Sequence, residues 1–284
     1  MESALSGRGL KTGTWGRRIV GITSSGGAMA VALIMALSPA AAAAGHTYHA
    51  PYAGAVSQTN TYTSVSGCAT GALTAPVNWS STTGVFTMTA KTSAKGCGTQ
   101  LAGVGGNSYG AAQGGVEVAV PIKAATSAAH SLSVNWKFHG SATMTMTPGT
   151  CTLATTTSFQ DCYVSGYIDI YAGAYLVDLT NGSYFYPTNY WYFYNDSYNE
   201  TYCYSGSCYN ASGSFGFGTL GNVSFFINGT LNKLDSYAVV TYVYAYASSS
   251  VSAYVATLSG GSATASVVLA GGSNKAALSS IVIT

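Results

Sequence analysis

The sequence predicts an all-β chain: an antiparallel β-sandwich, one large or two smaller, of jelly-roll or immunoglobulin-like kind, linked by disulfides. Three observations predict it. Short stretches alternate apolar and polar residues with the strand period, and almost none follows the helical one. Clusters of Gly, Asn, Pro and Ser break those stretches at short intervals. Six cysteines, an even number, all lie beyond residue 44, which suits an oxidising compartment.

Taken in order, Val116, Val118, Val120 and Ile122 form one face of a strand. Leu132, Val134, Trp136 and Phe138 do the same, alternating with Ser131, Ser133, Asn135 and Lys137. A turn is expected at His139-Gly140, followed by a strand with Ala142, Met144 and Met146 on one side, ended by Pro148-Gly149. Further strands are expected over 236–247 and 251–258, separated by three serines, and over 263–270 and 276–283, separated by Gly271-Gly272-Ser273-Asn274. Asn181-Gly182 and Asn228-Gly229 read as hairpin turns. The apolar end of the chain, residues 278–284, reads as an edge strand or one donated to a neighbour. Composition shifts from Thr/Ala/Gly-rich to Tyr-rich near 149–162, a candidate subdomain boundary within 45–284.

Residues 1–44 read as an export signal. Arg8, Lys11, Arg17 and Arg18 precede an apolar run over 28–37, then Pro39 and an alanine stretch. Ten apolar residues are too few to span a bilayer comfortably, so no membrane span is expected once the signal is removed. Arg17-Arg18-Ile19-Val20 resembles a twin-arginine export signal, although an ordinary signal with two adjacent arginines accounts for it as well.

Nearest-neighbour pairing of the cysteines gives Cys68–Cys97, Cys151–Cys162 and Cys203–Cys208. The last follows from geometry: a hairpin turning at Ser205-Gly206 sets Cys203 opposite Cys208 in a non-hydrogen-bonded pair. No CxxC occurs, which argues against zinc.

From Gly45 onward the chain holds six lysines, no arginine and seven carboxylates, a formal charge of 6 − 7 = −1. A nearly neutral exterior without arginine excludes nucleic acid and polyanions as partners. So few carboxylates predict a weak dependence of stability on acid pH.

Seven N-glycosylation sequons stand at Asn78, Asn181, Asn195, Asn199, Asn210, Asn222 and Asn228, where the Asn, Ser and Thr content predicts roughly three by chance. Eighteen of the 22 tyrosines lie between Tyr163 and Tyr254. Tyr184, Tyr186, Tyr190, Trp191, Tyr192 and Tyr194 form the densest aromatic strip and are the candidate binding residues. Tyrosine gives large contact area at few rotatable bonds. Runs this dense put aromatics on both faces of a strand, so one face belongs to the core and the other to a covering sheet, partner or glycan.

Signals of catalysis are weak. Gly106-Asn-Ser108-Tyr-Gly110 has nucleophile-elbow spacing and Gly216-x-Gly218-x-x-Gly221 dinucleotide spacing, but no helix is expected after either. Cleavage after Gly45 would expose His46, a start that resembles the copper-binding terminus of lytic polysaccharide monooxygenases, with His49, His130 and His139 elsewhere. Cleavage after Ala44, which the small-residue pattern favours, does not produce that arrangement. Asp169 and Asp178, nine residues apart, fall on opposite faces of a continuous strand, whereas a glycosidase needs two carboxylates across a cleft.

These readings converge on a secreted or cell-surface structural or adhesive glycoprotein, an envelope, filament or matrix component without catalysis or cofactor. Its partners would be copies of itself or neighbouring envelope proteins. The alternatives are a carbohydrate-binding module and an extracellular enzyme, either a copper protein or a glycoside hydrolase.

Overall fold

The computed structural model describes residues 45–96, 106–153, 159–204, 207–254, 256–270, 273 and 275–284. The expected leader and Cys97 lie outside them. The strands are β1 (Thr47–Tyr48), β2 (Val56–Ser66), β3 (Thr70–Ser80), β4 (Val85–Lys95), β5 (Gly106–Ile122), β6 (Ala128–His139), β7 (Ser141–Thr147), β8 (Thr150–Leu153) and β9 (Gln160–Asp178). They continue with β10 (Tyr184–Phe185), β11 (Trp191–Tyr204), β12 (Ser207–Phe217), β13 (Asn222–Leu231), β14 (Tyr237–Tyr254), β15 (Ala256–Ser259), β16 (Ser262–Val268) and β17 (Lys275–Ile283). The chain is all-β, and its antiparallel sheets pack as a sandwich.

An eight-stranded sheet runs β13-β6-β17-β4-β16-β7, with β1 on β17 and β3 on β4. The facing seven-stranded sheet runs β12-β11-β9-β14-β5-β2, with β10 on β9. We call them the first and second sheets. Most connections change sheet, so each sheet draws strands from both sides of 149–162. At one end β8 and β15 pair with each other, and Cys151–Cys162 joins β8 to β9.

Two expected breaks are absent. No hairpin forms at His139-Gly140. Instead β6 runs on into β7, with β6 pairing β17 and β7 pairing β16. Gly140 is there for close approach: a Cβ would meet the Val268 carbonyl and Leu269 Cδ2, each at 2.6 Å. The expected separation of the last two strands is present, and β16 and β17 lie end to end along β4. The three serines do not interrupt β14. Gly110, Ser249 and Gly166 lie side by side across β5, β14 and β9, with Ser249 1% exposed. The small side chains mark where the sheets crowd, not where the chain turns.

Asn181-Gly182 does turn, with Gly182 at φ 77° and Asp178 Oδ1 accepting from the Thr180 amide at 2.8 Å. Asn228-Gly229 does not: it lies within β13 opposite Ser131 and His130. Gly229 leaves room for the Phe185 ring, which a Cβ would meet at 2.6 Å. The end of the chain is no donated strand either. β17 is flanked by β6 on one side and by β1 and β4 on the other, leaving no edge to donate.

Inward residues from both sheets form one main core, with Phe86, Met88, Trp136, Phe138, Ile168, Ile170, Leu176 and Phe225 fully buried. One polar chain crosses it. Trp136 Nε1 of the first sheet donates to Thr241 Oγ1 of the second at 2.8 Å, and that hydroxyl donates to the Gly173 carbonyl at 2.8 Å. A buried indole N–H without such a partner costs about 1–3 kcal/mol, so this link fixes the sheets in register.

Candidate functional site

Strand alternation sends every second residue of the second sheet outward. On β9 the outward positions include Tyr163, Tyr167, Tyr171 and Tyr175; on β11, Tyr192, Tyr194, Tyr198 and Tyr202; on β14, Tyr242, Tyr244 and Tyr246. Register places them side by side: Tyr192 opposite Tyr171, itself opposite Tyr244, and Tyr202 opposite Tyr209 of β12. The rings then pack edge-on or tilted, with centroids 5.3 Å apart for Tyr167–Tyr194, 5.6 Å for Tyr167–Tyr246 and 5.5 Å for Tyr171–Tyr242. Such pairs contribute about 0.5–1.5 kcal/mol each beyond their area.

Glycines make the array possible. A Cβ at Gly115 would collide with the Tyr244 ring, and one at Gly173 with the Tyr242 hydroxyl. Each ring lies flat across a bare stretch of neighbouring backbone.

Carboxylates are set among the rings. Glu117, Asp161, Asp169, Asp196 and Glu200 occupy outward positions, at register with Tyr242, Tyr202, Tyr246, Tyr167 and Tyr163. Tyr175 donates to Glu117 at 3.0 Å, Tyr194 to Asp196 at 3.1 Å and Tyr167 to Asp169 at 3.4 Å. No lysine or arginine lies on any strand of this sheet. Burial without a counter-charge raises the carboxyls. Asp169, 5% exposed, is pushed up from 3.8 to about 7, partly offset by its tyrosine hydrogen bonds. Burial, then the nearby Glu200, lifts Asp161 to about 6, and burial also raises Glu117 and Asp196. The same burial holds the Tyr167, Tyr175 and Tyr242 hydroxyls above their ordinary value, so they remain donors at physiological pH. Asp161 Oδ1 and Asp169 Oδ1 are buried without a hydrogen-bond partner.

Of the candidate residues, Tyr192 and Tyr194 lie in this face. Tyr184 and Tyr186 stack on each other at 6.3 Å and meet it through Tyr175. Tyr190 stands off, 79% exposed, ahead of β11. Trp191 points the other way: it stacks on Phe138 at 4.5 Å and packs against the core. Its parity along the strand assigns it inward with Phe193.

The outward tyrosines of β9 and β14 were not among the candidates. Their signal is present in the sequence: Tyr163, Tyr167, Tyr171 and Tyr175 recur at even spacing, and Tyr242-Val-Tyr244-Ala-Tyr246 alternates openly.

β11 and β12 form a hairpin paired from Tyr194–Phe217 to Tyr204–Ser207. Its other face is polar: Ser197 Oγ donates to Ser214 Oγ at 2.9 Å and Thr201 Oγ1 to Asn210 Oδ1 at 2.9 Å. Cys203–Cys208 closes its tip, with Cα atoms 4.1 Å apart. Cys68 is also disulfide-bonded; its expected partner, Cys97, is outside the described residues.

The sequon asparagines Asn195, Asn199 and Asn210 lie on that polar face of the hairpin, opposite the tyrosines. Asn78 and Asn222 and Asn228 lie outward on β3 and β13, the two edges of the first sheet, and Asn181 in the turn after β9. None of the seven is on the tyrosine face.

Of the histidines, His46 meets the Tyr48 ring edge-on at 4.5 Å and His49 Nδ1 lies 3.0 Å from the Ser279 carbonyl. Among the described residues, no group of three or more His, Cys, Asp or Glu is placed to hold a metal. Ser108, in the elbow-like sequence, lies within β5, 2% exposed, and its hydroxyl accepts from the Cys68 amide at 3.0 Å. Residues 222–231 after Gly221 form strand β13, not a helix.

No protein-family model matches the chain. No curated protein matches it in sequence. Among solved structures it is similar to the CBM22-1 xylan-binding domain of Paenibacillus barcinonensis Xyn10C, at 8% identity over 72% of this chain and 96% of that one, with a TM-score of 0.12. A likeness that faint carries no argument about a ligand.

Proposed function

We propose that this chain is an extracellular structural or adhesive protein and that the tyrosine–carboxylate face of its second sheet is the contact surface. The single observation that carries this reading is the segregation of that face: tyrosines and carboxylates gathered on one broad sheet surface, every sequon asparagine off it. Disulfides and the absence, among the described residues, of a helix long and apolar enough to cross a membrane are compatible with an extracellular address. The export signal at 1–44 and glycans at the sequons belong to the same reading, and such glycans would leave the tyrosines open for contact.

Aromatic rings over acceptor carboxylates also match the chemistry of sugar recognition, which favours a carbohydrate-binding module as the second reading. A sheet face, rather than a cleft, favours a broad partner over a single oligosaccharide chain.

The test is retention. The full chain and its Tyr192→Ser/Tyr194→Ser variant are secreted from the native host and partitioned between the cell-surface fraction and the medium. The variant is expected to shift to the medium while still melting cooperatively, at a temperature lowered by the ring contacts it loses. Equal retention of the two sinks the proposal, and a glycan array with specific binding would transfer it to the second reading.

A further inference from the structure

The two outer faces of the sandwich carry opposite charges. Strands of the first sheet hold Lys91, Lys95, Lys137 and Lys275 and no carboxylate. All four lysines are exposed. Strands of the second sheet hold six carboxylates and neither lysine nor arginine, and five of the six point outward among the tyrosines.

The two faces also differ in hydrogen-bonding sense. An ammonium only donates and a carboxylate only accepts. On the first sheet, the donors stand on β4, β6 and β17, all interior strands, while the sequon asparagines are confined to the edge strands β3 and β13. The middle of the lysine face is therefore clear of any glycan acceptor.

The two faces lie on opposite sides of one protomer, so they can meet only between copies. Such a contact joins two different patches and repeats without closing unless the rotation forms a ring. Size is sufficient: six strand positions at about 4.8 Å spacing and strands as long as 17–19 residues exceed the roughly 800 Å² per partner of a stable contact.

Building on the proposed contact role, we propose that the tyrosine–carboxylate face of one copy docks on the lysine-bearing outer face of the first sheet of a second copy, head to tail, giving an open-ended stack. Tyrosine burial supplies most of the affinity. The lysine–carboxylate complementarity sets the orientation and rejects tyrosine-to-tyrosine pairing, where carboxylates would face carboxylates.

The experiment uses the full secreted chain in sedimentation velocity across a concentration series. One variant reverses the lysine face, Lys91→Glu/Lys137→Glu/Lys275→Glu. The other reverses charge on the tyrosine face, Asp196→Lys/Glu200→Lys, leaving every ring in place. The parent is expected to form oligomers that grow with concentration. Each variant alone should need at least about tenfold more protein to associate. An equimolar mixture should recover concentration-dependent growth, because the two reversed faces complement each other just as the two unaltered ones do. Melting curves matched to the parent establish that the variants are folded.

A monomeric parent overturns the inference, as does a lysine-face variant that assembles like the parent. If the tyrosine-face variants lose surface retention while the lysine-face variant keeps it, the contact role stands and the partner is something other than a second copy. If neither change alters retention or assembly, both readings fall together.

Discussion

The outer face of the first sheet and the outer face of the second are built on the same plan and finished with opposite chemistry. Both alternate a buried aliphatic or aromatic residue with an outward polar one. On the first sheet the outward residues are Ser, Thr, Asn and Lys, as in the run Thr143, Thr145, Thr147 beside Ser266, Thr264, Ser262. On β9, β11 and the middle of β14 in the second they are mostly Tyr, Asp and Glu. The first face is open and polar, and its hydroxyls bond locally, as Thr145 does with Thr264. The second covers itself: rings lean on rings, roofing its carboxylates. Alternation therefore fixes which residues face out, while the outward residue type decides whether that surface is solvated or already half desolvated, and a half-desolvated surface needs less further desolvation on binding a partner.

The largest test strikes what the faces share. Trp136→Ala removes the largest fully buried side chain and its link to Thr241 across the core. A loss of about 3–5 kcal/mol is expected, read from urea unfolding. Both faces should be lost in one transition, followed by tyrosine fluorescence for the second sheet and lysine reactivity for the first. Two separated transitions would show that the sheets hold their faces independently.

Next in size is Gly115→Ala, which drives Tyr244 off its neighbouring strand. Overpacking of this kind costs about 1–3 kcal/mol, and it strikes a ring on the outer face of the second sheet. An unfolding midpoint equal to the parent's would mean that Tyr244 moves freely and that the rings form no fixed array.

Much of this architecture was legible in the sequence. The inward sets Val116/Val118/Val120/Ile122 and Leu132/Val134/Trp136/Phe138 are buried as their period demands. The Cys203–Cys208 pair follows from hairpin register. What failed was punctuation. Gly140, Ser249 and Gly229 looked like turns because small residues are turn formers, but each is small because another chain segment or ring presses on it, a tertiary fact without local signature. The site was half legible. The strip at 184–194 is dense enough to notice, yet Trp191 in it belongs to the core. The wider array needs strands β9, β11 and β14 to be neighbours, and their pairing spans tens of residues that no local pattern orders.

A third, smaller effect concerns pH. The native Asp169 carboxyl holds its proton up to about 7, against 3.8 for the ordinary group, so folding takes up protons between those values. The stability this contributes is complete below pH 3.8 and is lost as pH rises through about 7. Asp161, raised to about 6, acts in the same direction. The melting temperature should therefore be higher at pH 4.5 than at pH 7.5, by at least about 2–4 °C, equivalent to about 1 kcal/mol for a domain of this size. This replaces the weak dependence that the small number of carboxylates suggested: what matters is that most of them are roofed by rings. Asp169→Asn should raise the melting temperature at pH 7.5 and leave it nearly unchanged at pH 4.5. A parent that melts lower in acid would show that the tyrosine roof does not desolvate these groups.

The smallest effect tests the other face. Thr145→Ala removes one hydroxyl from the ladder of the first sheet and breaks its bond to Thr264. Both groups lie in the open, so water replaces the lost partner at once, and β propensity changes little at a solvated position. The midpoint should move by no more than about 0.5 kcal/mol in urea. Tyr171→Ala at the centre of the opposite face removes contacts with Tyr192 and Tyr242 that water cannot replace. Its cost should exceed that of the threonine change severalfold. Equal costs would mean that the rings are as solvated as the hydroxyls; the faces would then differ in charge alone, and steering, rather than a partly desolvated surface, would be what the tyrosine side brings to a contact.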